Sequence, residues 1–469
     1  MPGARIQLIA NSEHELFLTS NPEVTFFKSV YLRHPNFAIE TIKHEFSGCA
    51  HFGSSCYVTI PNSGNIDYIS GMALSIHLGS LNNNNNDNNN TNNNSRNTDL
   101  NCFCNDYFNS LDQEENTIFS WVNGIGHAII EEISIDIGSK FVETHYGEWF
   151  DIWTELTQNL DKRLGYNELV GKKDPAGYNI KSFTKSMDLI IPLNFWFCKN
   201  IGLSLPLSEI KPSNYIKINF KIRSFNKLWI CNNKGVTPNV PEMSVSLLVD
   251  YIFLPGPDHV KLKFREKKVY RDKKGKKLEK APRKFFLIDT LQKWKQSFSK
   301  NISGIANVDM QFNYLIKEII WVIQRTDVLT RSNDDDEDFS YGNDIFNFSN
   351  SRNFSSSADM FISASLSLGN NLNTKRLEDM PAKYFRLLQP YKYHTKCPNN
   401  FIYVYSFAFS PEGHQPTGFC NNSSQKKMRL SLNMKKNLSS DFTVTVYAVA
   451  YQMLVLDKGD GSYYPMWAT

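Results

Sequence analysis

His145, Glu148 and Asp151 stand three residues apart, so on a helix they would share one face. One imidazole and two carboxylates could hold a divalent metal, but the spacing matches no established ligand set. The reading the residues favour is a solvated polar face. Opposite it, Trp149, Ile152, Trp153, Leu156 and Leu160 recur at steps of three and four, which predicts a helix over His145–Leu160 with one apolar stripe against a sheet. The acidic run Asn333–Asp338 lacks the glycine and distant glutamate of a calcium loop and reads as a solvated loop. Cys102 and Cys104 have no nearby His or Cys and read as incidental thiols. No His-x-His pair, H-E-x-x-H helix, G-x-S-x-G elbow or phosphate loop occurs. Catalytic, cofactor-binding and metal residues are therefore all expected to be none, and the chain is not expected to be an enzyme.

The chain's other signals are those of its fold. Its 469 residues, 41% of them apolar, fit two domains of sandwich size. The 33 Phe and 21 Tyr lean towards strands. A net charge of +4 is close to balance, which argues against dedicated nucleic-acid binding. The 8 Cys form no C-x-x-C pair and fit free thiols in a reducing compartment. No signal core and no apolar run of membrane-spanning length is present, so synthesis in the cytoplasm is expected.

Along the chain, residues 1–23 read as an arm. Strand-like runs follow at Val24–Val30, Ile39–Phe46, Tyr57–Ile60, Ile69–Leu78, Ala128–Ile137, Leu189–Phe197, Tyr215–Ile222 and Ser244–Leu254. They place a first domain at 24–256. Residues 257–284, dense in Lys and Arg, read as a basic linker. A second domain, 285–458, carries runs at Phe285–Leu291, Asn307–Phe312, Tyr314–Ile323, Met360–Leu368, Phe401–Phe409, Met428–Met434 and Thr443–Leu456, and 459–469 is a tail. Asn82–Asn94 is too polar for a core. The strand Ile69–Leu78 precedes that loop as Tyr314–Ile323 precedes the acidic one, and each half closes on a similar strand, Leu248–Leu254 and Val446–Leu454. This suggests a duplication. The expectation is an all-β protein of two tandem antiparallel sandwiches, with short helices and long loops at the surface. Sequons begin at Asn301, Asn347, Asn353, Asn422 and Asn437 and carry little weight in an Asn-rich chain.

Several blocks carry a resemblance. The first is Pro22-Glu23-Val24-Thr25-Phe26-Phe27-Lys28, continuing through Arg33-His34-Pro35-Asn36-Phe37. Then come His145-Tyr146-Gly147-Glu148-Trp149 with Trp153, Phe195-Trp196-Phe197 followed by Gly202 and Pro206, Asp250-Tyr251, Trp321, and Gln415-Pro416-Thr417-Gly418. In order and spacing these resemble the major capsid proteins of nucleocytoplasmic large double-stranded DNA viruses. The resemblance implies two eight-stranded antiparallel jelly rolls, a double jelly roll. It implies a homotrimer of pseudo-hexameric outline, a capsomer that tiles an icosahedral capsid beside neighbouring capsomers. Minor capsid proteins and the internal viral membrane would lie beneath the shell, with no specific nucleic acid bound and assembly in the host cytoplasm. In that setting Trp149, Trp153, Trp196 and Trp321 read as core or intersheet anchors, and Gly202, Pro206, Pro416 and Gly418 as turn formers. Arg5, Ile6, Leu8, Leu16 and Leu18 of the arm, with Lys273, Lys274, Lys276 and Lys277 of the linker, are the candidate partner contacts. The linker is more basic than the family pattern and Asn422–Arg429 departs from it. The alternative is a minor capsid paralogue or a jelly-roll glycan-binding attachment protein.

Overall fold

The computed structural model describes residues 5, 19–23, 25–29, 31, 33–48, 50–61, 66–81, 119–173, 184–210, 215–231, 237–255, 269–271, 277–279, 283–302, 304–329, 343–351, 357–369, 374–422, 427–457 and 462–465. Both low-complexity loops, Asn82–Asn94 and Asn333–Asp338, lie outside them.

Sixteen of the strands among these residues form two sandwiches. In the first half they are β1 (Ala38–Glu45), β2 (Ser55–Ile60), β3 (Tyr68–Leu78), β4 (Ile130–Ile137), β5 (Lys140–Tyr146), β6 (Met187–Pro192), β7 (Ile216–Ile222) and β8 (Met243–Phe253). In the second they are β9 (Arg283–Phe298), β10 (Ile305–Met310), β11 (Leu315–Arg325), β12 (Phe361–Leu368), β13 (Thr374–Pro381), β14 (Tyr403–Ser406), β15 (Met428–Met434) and β16 (Phe442–Asp457). The first half pairs as β1-β8-β3-β6 and β2-β7-β4-β5, the second as β9-β16-β11-β14 and β10-β15-β12-β13, all antiparallel. Adding eight to each label of the first half yields the second. Each half is a jelly roll, and the fold is a double jelly roll.

Alternation explains the layers. Strand β7 buries Ile216, Ile218, Phe220 and Ile222 and turns Lys217, Asn219 and Lys221 outward. Its inward side chains meet Leu74, Ile76, Leu247 and Val249 of the facing sheet in one core. A second core, with Val308, Leu366, Leu430 and Leu432 facing Ile319, Trp321, Val444 and Val446, fills the other roll. Even the irregularities repeat. A bulge between Asp250 and Tyr251 interrupts the β8–β3 register, and one between Ile316 and Glu318 interrupts β11–β16 at the corresponding place.

Several expectations are corrected. Residues 25–29 form a turn with no strand pairing, and Phe26 and Phe27 stand exposed with nothing among the described residues packed on them. The expected strand Leu189–Phe197 stops at Pro192, and Trp196–Lys199 is helical, with Phe195, Trp196 and Phe197 plugging the core as a cluster. Strands β5 and β13 read as no strand at all. Their sequences, KFVETHY and TKRLEDMP, are those of charged sheet edges rather than apolar strands. Within the basic segment, Val269–Arg271 pairs with Lys277–Glu279 as a small ribbon, and Ser462–Pro465 of the tail pairs with the end of β16. Among the described residues five cysteines are free thiols, and no helix is long and apolar enough to cross a membrane.

Candidate functional site: the seam between the jelly rolls

One helix, α1 (Gly147–Thr157), runs straight out of β5 and lies between the two rolls. Its entry depends on Gly147. A Cβ there would sit 2.3 Å from the carbonyl oxygens of both His127 and Ile130, so only glycine lets the chain turn this close. The helix is shorter than expected. His145 belongs to β5, and Leu160 lies beyond the C-terminus with 63% of its surface exposed. Phe150 points back into the core of its own roll, whereas Trp149, Ile152, Trp153 and Leu156 belong to the core of the other. Trp149 stacks on Trp153 at 5.3 Å and meets Tyr447 of β16, also at 5.3 Å. Each of these side chains contributes on the order of 2–3 kcal/mol by leaving water.

The polar face of α1 is not solvated. His145 and Asp151 are buried, and Glu148 nearly so, because the rest of the first roll closes over them. His145 bonds Glu143 at 2.9 Å and stacks on Phe195. Glu148 accepts from Arg223 at 3.0 Å and lies 3.8 Å from Lys293 of the second roll. Burial pushes the Glu148 carboxyl up, but Arg223 and Lys293 outweigh it and hold it below its ordinary range. Lys293 loses more to burial than Glu148 returns, and its ammonium falls to about 8. Asp151 accepts from Lys172 at 2.6 Å. Its burial is outweighed by Lys172 and His127, and its carboxyl is held well below the usual value. Glu155 joins the rolls, accepting from Lys172 at 3.0 Å and from Lys396 of the second roll at 3.2 Å. A cavity of about 130 Å³ beside this network, lined in part by Asp151, Glu155, Phe346 and Lys396, has room for a few waters.

Two further buried charges mark the second-roll side. Lys317 is fully buried on β11 and donates to both oxygens of Asp289 at 3.1 Å, and Lys199 of the first roll reaches the same carboxylate at 3.3 Å. His394 lies between Glu318 and Glu412, 2.9 Å from each. Burial disfavours its charge, but the two carboxylates prevail and raise it to about 9. These are charge pairs that hold surfaces together. Among the described residues no group of three or more His, Cys, Asp or Glu is placed to hold a metal ion.

The comparisons with known proteins agree with this architecture. Residues 25–255 match a family described as major capsid protein N-terminus, and residues 276–462 match the large eukaryotic DNA virus major capsid protein family. The chain belongs to the major capsid protein family of nucleocytoplasmic large DNA viruses. It is 28% identical to the major capsid protein of Pyramimonas orientalis virus over 98% of each chain. It is 26% identical to probable capsid protein 4 of Acanthamoeba polyphaga mimivirus over 97% of each. Its fold matches PBCV-1 VP54 with a TM-score of 0.69 at 21% identity, over 95% of this chain and 100% of that one. It also matches the Faustovirus major capsid protein with a TM-score of 0.67 at 11% identity, over 96% of each. The chain is thus a structural component of a virion capsid.

The capsid family's signature residues sort into two groups. Tyr146, Gly147, Trp149 and Trp153 build the seam, and Lys293 lies 3.7 Å over the Tyr146 ring. Trp321 packs between Tyr403 and Phe385. Asp250 accepts from Thr41 at 2.6 Å, and Tyr251 bonds His44 at 2.8 Å, tying β8 to β1. Gly418 has φ 134 and lies against the Phe407 carbonyl, where no Cβ fits. By contrast Pro22, Thr25, Phe26, Phe27, Lys28, Arg33, His34, Asn36 and Phe37 lie exposed ahead of β1, and Gln415 and Pro416 on an exposed loop. Of the candidate partner contacts, Arg5 is exposed and Lys277 sits in the small ribbon. Ile6, Leu8, Leu16, Leu18, Lys273, Lys274 and Lys276 lie outside the described residues. The sequon residue Asn422 is fully buried and donates to the Phe312 carbonyl. What sequence reasoning missed is the charge network. Arg223, Lys172, Lys293, Lys317 and His394 are scattered singly, with no spacing signal to unite them.

Proposed function

We propose that this capsid protein forms a homotrimeric capsomer of pseudo-hexameric outline that tiles an icosahedral shell. The observation that carries the reading is the side-by-side seam. Two rolls of one strand order are held together by α1 and buried charge pairs, so three chains would supply six similar rolls around a ring. The rolls would span 24–256 and 285–458, with 257–284 as connector. Contacts within the trimer would be large and apolar, and those between trimers smaller and more polar. The exposed Phe26 and Phe27, the arm from Arg5 to Leu18 and the basic segment would face minor capsid proteins and the internal membrane. The protein would be made in the host cytoplasm and catalyse nothing.

Light scattering of the purified chain, with negative-stain images of the same peak, tests this. A mass of three chains and hexagonal particles is the expected result. A folded, stable monomer would overturn the capsomer reading.

A further inference from the structure

The duplication extends beyond the strands. The first roll sends α1 out of β5, and the second sends a π-helical turn, Tyr384–Leu388, continuing into α2 (Gln389–Tyr393), out of β13. Counted from the last strand residue, Tyr146 in one half and Pro381 in the other, Phe150 and Phe385 are both fourth, and each is buried in its own roll. The same count places Leu387 with Ile152, Leu388 with Trp153 and Tyr391 with Leu156. Those three residues of α1 are buried in the neighbouring roll, whereas Leu387, Leu388 and Tyr391 are 39%, 40% and 77% exposed. The second roll carries the same wedge, pointing at solvent.

The face that would receive such a wedge is also duplicated. Aligned on their bulges, Leu248 of β8 corresponds to Tyr447 of β16, Ala73 of β3 to Ile320 of β11, and Lys43 of β1 to Lys293 of β9. In the second roll this outer face lies under α1, and Tyr447 and Ile320 are fully buried. In the first roll the same face is more open, although Ser246 and Ile252 of β8 are buried. Leu248 and Ala73 are half-buried, Ile190 of β6 is 37% exposed, and every residue of β1 keeps solvent contact. Ala73 and Ser75 leave room where Ile320 and Val322 fill the covered face. Lys383 takes the place of Glu148, Lys43 keeps the charge of Lys293, and Glu45, at the place of Lys295, offers a carboxylate to Lys383.

We infer that Leu387, Leu388 and Tyr391 of one chain dock on the outer face of β1-β8-β3-β6 of a second copy, repeating between chains the contact α1 makes within one. The joint is heterologous, wedge to face, so each copy offers one of each and a ring of copies closes with none left over. This rests on the trimer reading and adds its contact surface.

Two variants test it, a wedge variant, Leu388→Arg with Tyr391→Glu, and a face variant, Ile190→Arg. All three positions are exposed, so each variant should keep the wild-type strand content by circular dichroism and a cooperative melt. Each is expected to lose the trimer, its scattering mass falling threefold to that of one chain. An equimolar mixture should recover a species of two chains, because the wedge variant keeps a face and the face variant keeps a wedge. A trimer persisting in either well-folded variant, or a mixture that stays monomeric, overturns the inference while a trimeric wild type leaves the capsomer reading standing. A monomeric wild type overturns both.

Discussion

The sheets β9-β16-β11-β14 and β1-β8-β3-β6 share strand order and bulge, yet differ in what lies on their outer faces. Strand β16 is buried along nearly its whole length on both sides, whereas β3 alternates between buried and more open residues and β8 leaves Ser244, Leu248 and Asp250 in contact with solvent. One sheet is an interior layer and the other a surface, although the same topology built both. The difference lies in the helix: α1 reaches forward over the second roll, and no helix among the described residues reaches back over the first. A tandem duplication joined this way has one satisfied joint and two complementary ends.

The largest effect should separate the two helix entries. Gly147→Ala drives a Cβ into two backbone carbonyls, and a loss of about 3 kcal/mol or more is expected, seen as failure to fold or a steep fall in melting temperature. Its counterpart Ala382 already carries a Cβ, and Ala382→Gly should cost only about 1 kcal/mol. Equal effects would break the comparison at its root.

Next come the wedges. Trp153→Ala opens a cavity in the seam and should cost ~3–5 kcal/mol in denaturant unfolding of the single chain. Leu388→Ala, at the equivalent exposed position, should change that stability by less than about 0.5 kcal/mol.

The third effect is a difference in pH response. His394 is raised to about 9 from the 6.5 of an unfolded histidine. Its contribution, on the order of 3 kcal/mol, is full below pH 6.5 and lost as pH rises through 9. Asp151 behaves oppositely, because its carboxyl is depressed. Its contribution is present above its unfolded value of 3.8 and lost as pH falls. Melting followed from pH 2 to 10 should therefore show an acid loss to which Asp151 contributes and an alkaline loss that His394→Gln removes. A variant that keeps the alkaline loss would assign it to another group.

Much of the fold was legible from particular residues. Ile216, Ile218, Phe220 and Ile222 alternate because one side of β7 meets a core and the other meets water, and such a pattern survives any tertiary context. The similar closing strands and the repeated loop positions announced the duplication that the strand order displays. The edge strands β5 and β13 escaped notice because an edge buries little, so Lys140–Tyr146 and Thr374–Pro381 carry no apolar rhythm. The helix 384–393 escaped for a related reason: its outward residues Leu387, Leu388 and Tyr391 break the pattern of a helix in water.

The amino-acid sequence by itself determined most of the strands, the two cores, the capsid family and the apolar stripe of α1, because each is written in local spacing or in long ordered motifs. Only the tertiary structure decided what the stripe packs on and that the polar face opposite it is buried. Amphipathic spacing reports a helix's preference for one apolar surface. It is silent on whether a second surface covers the other side, and here the groups that make this possible, Arg223 and Lys293 for Glu148 and Lys172 for Asp151, come from other strands and loops that only folding brings together.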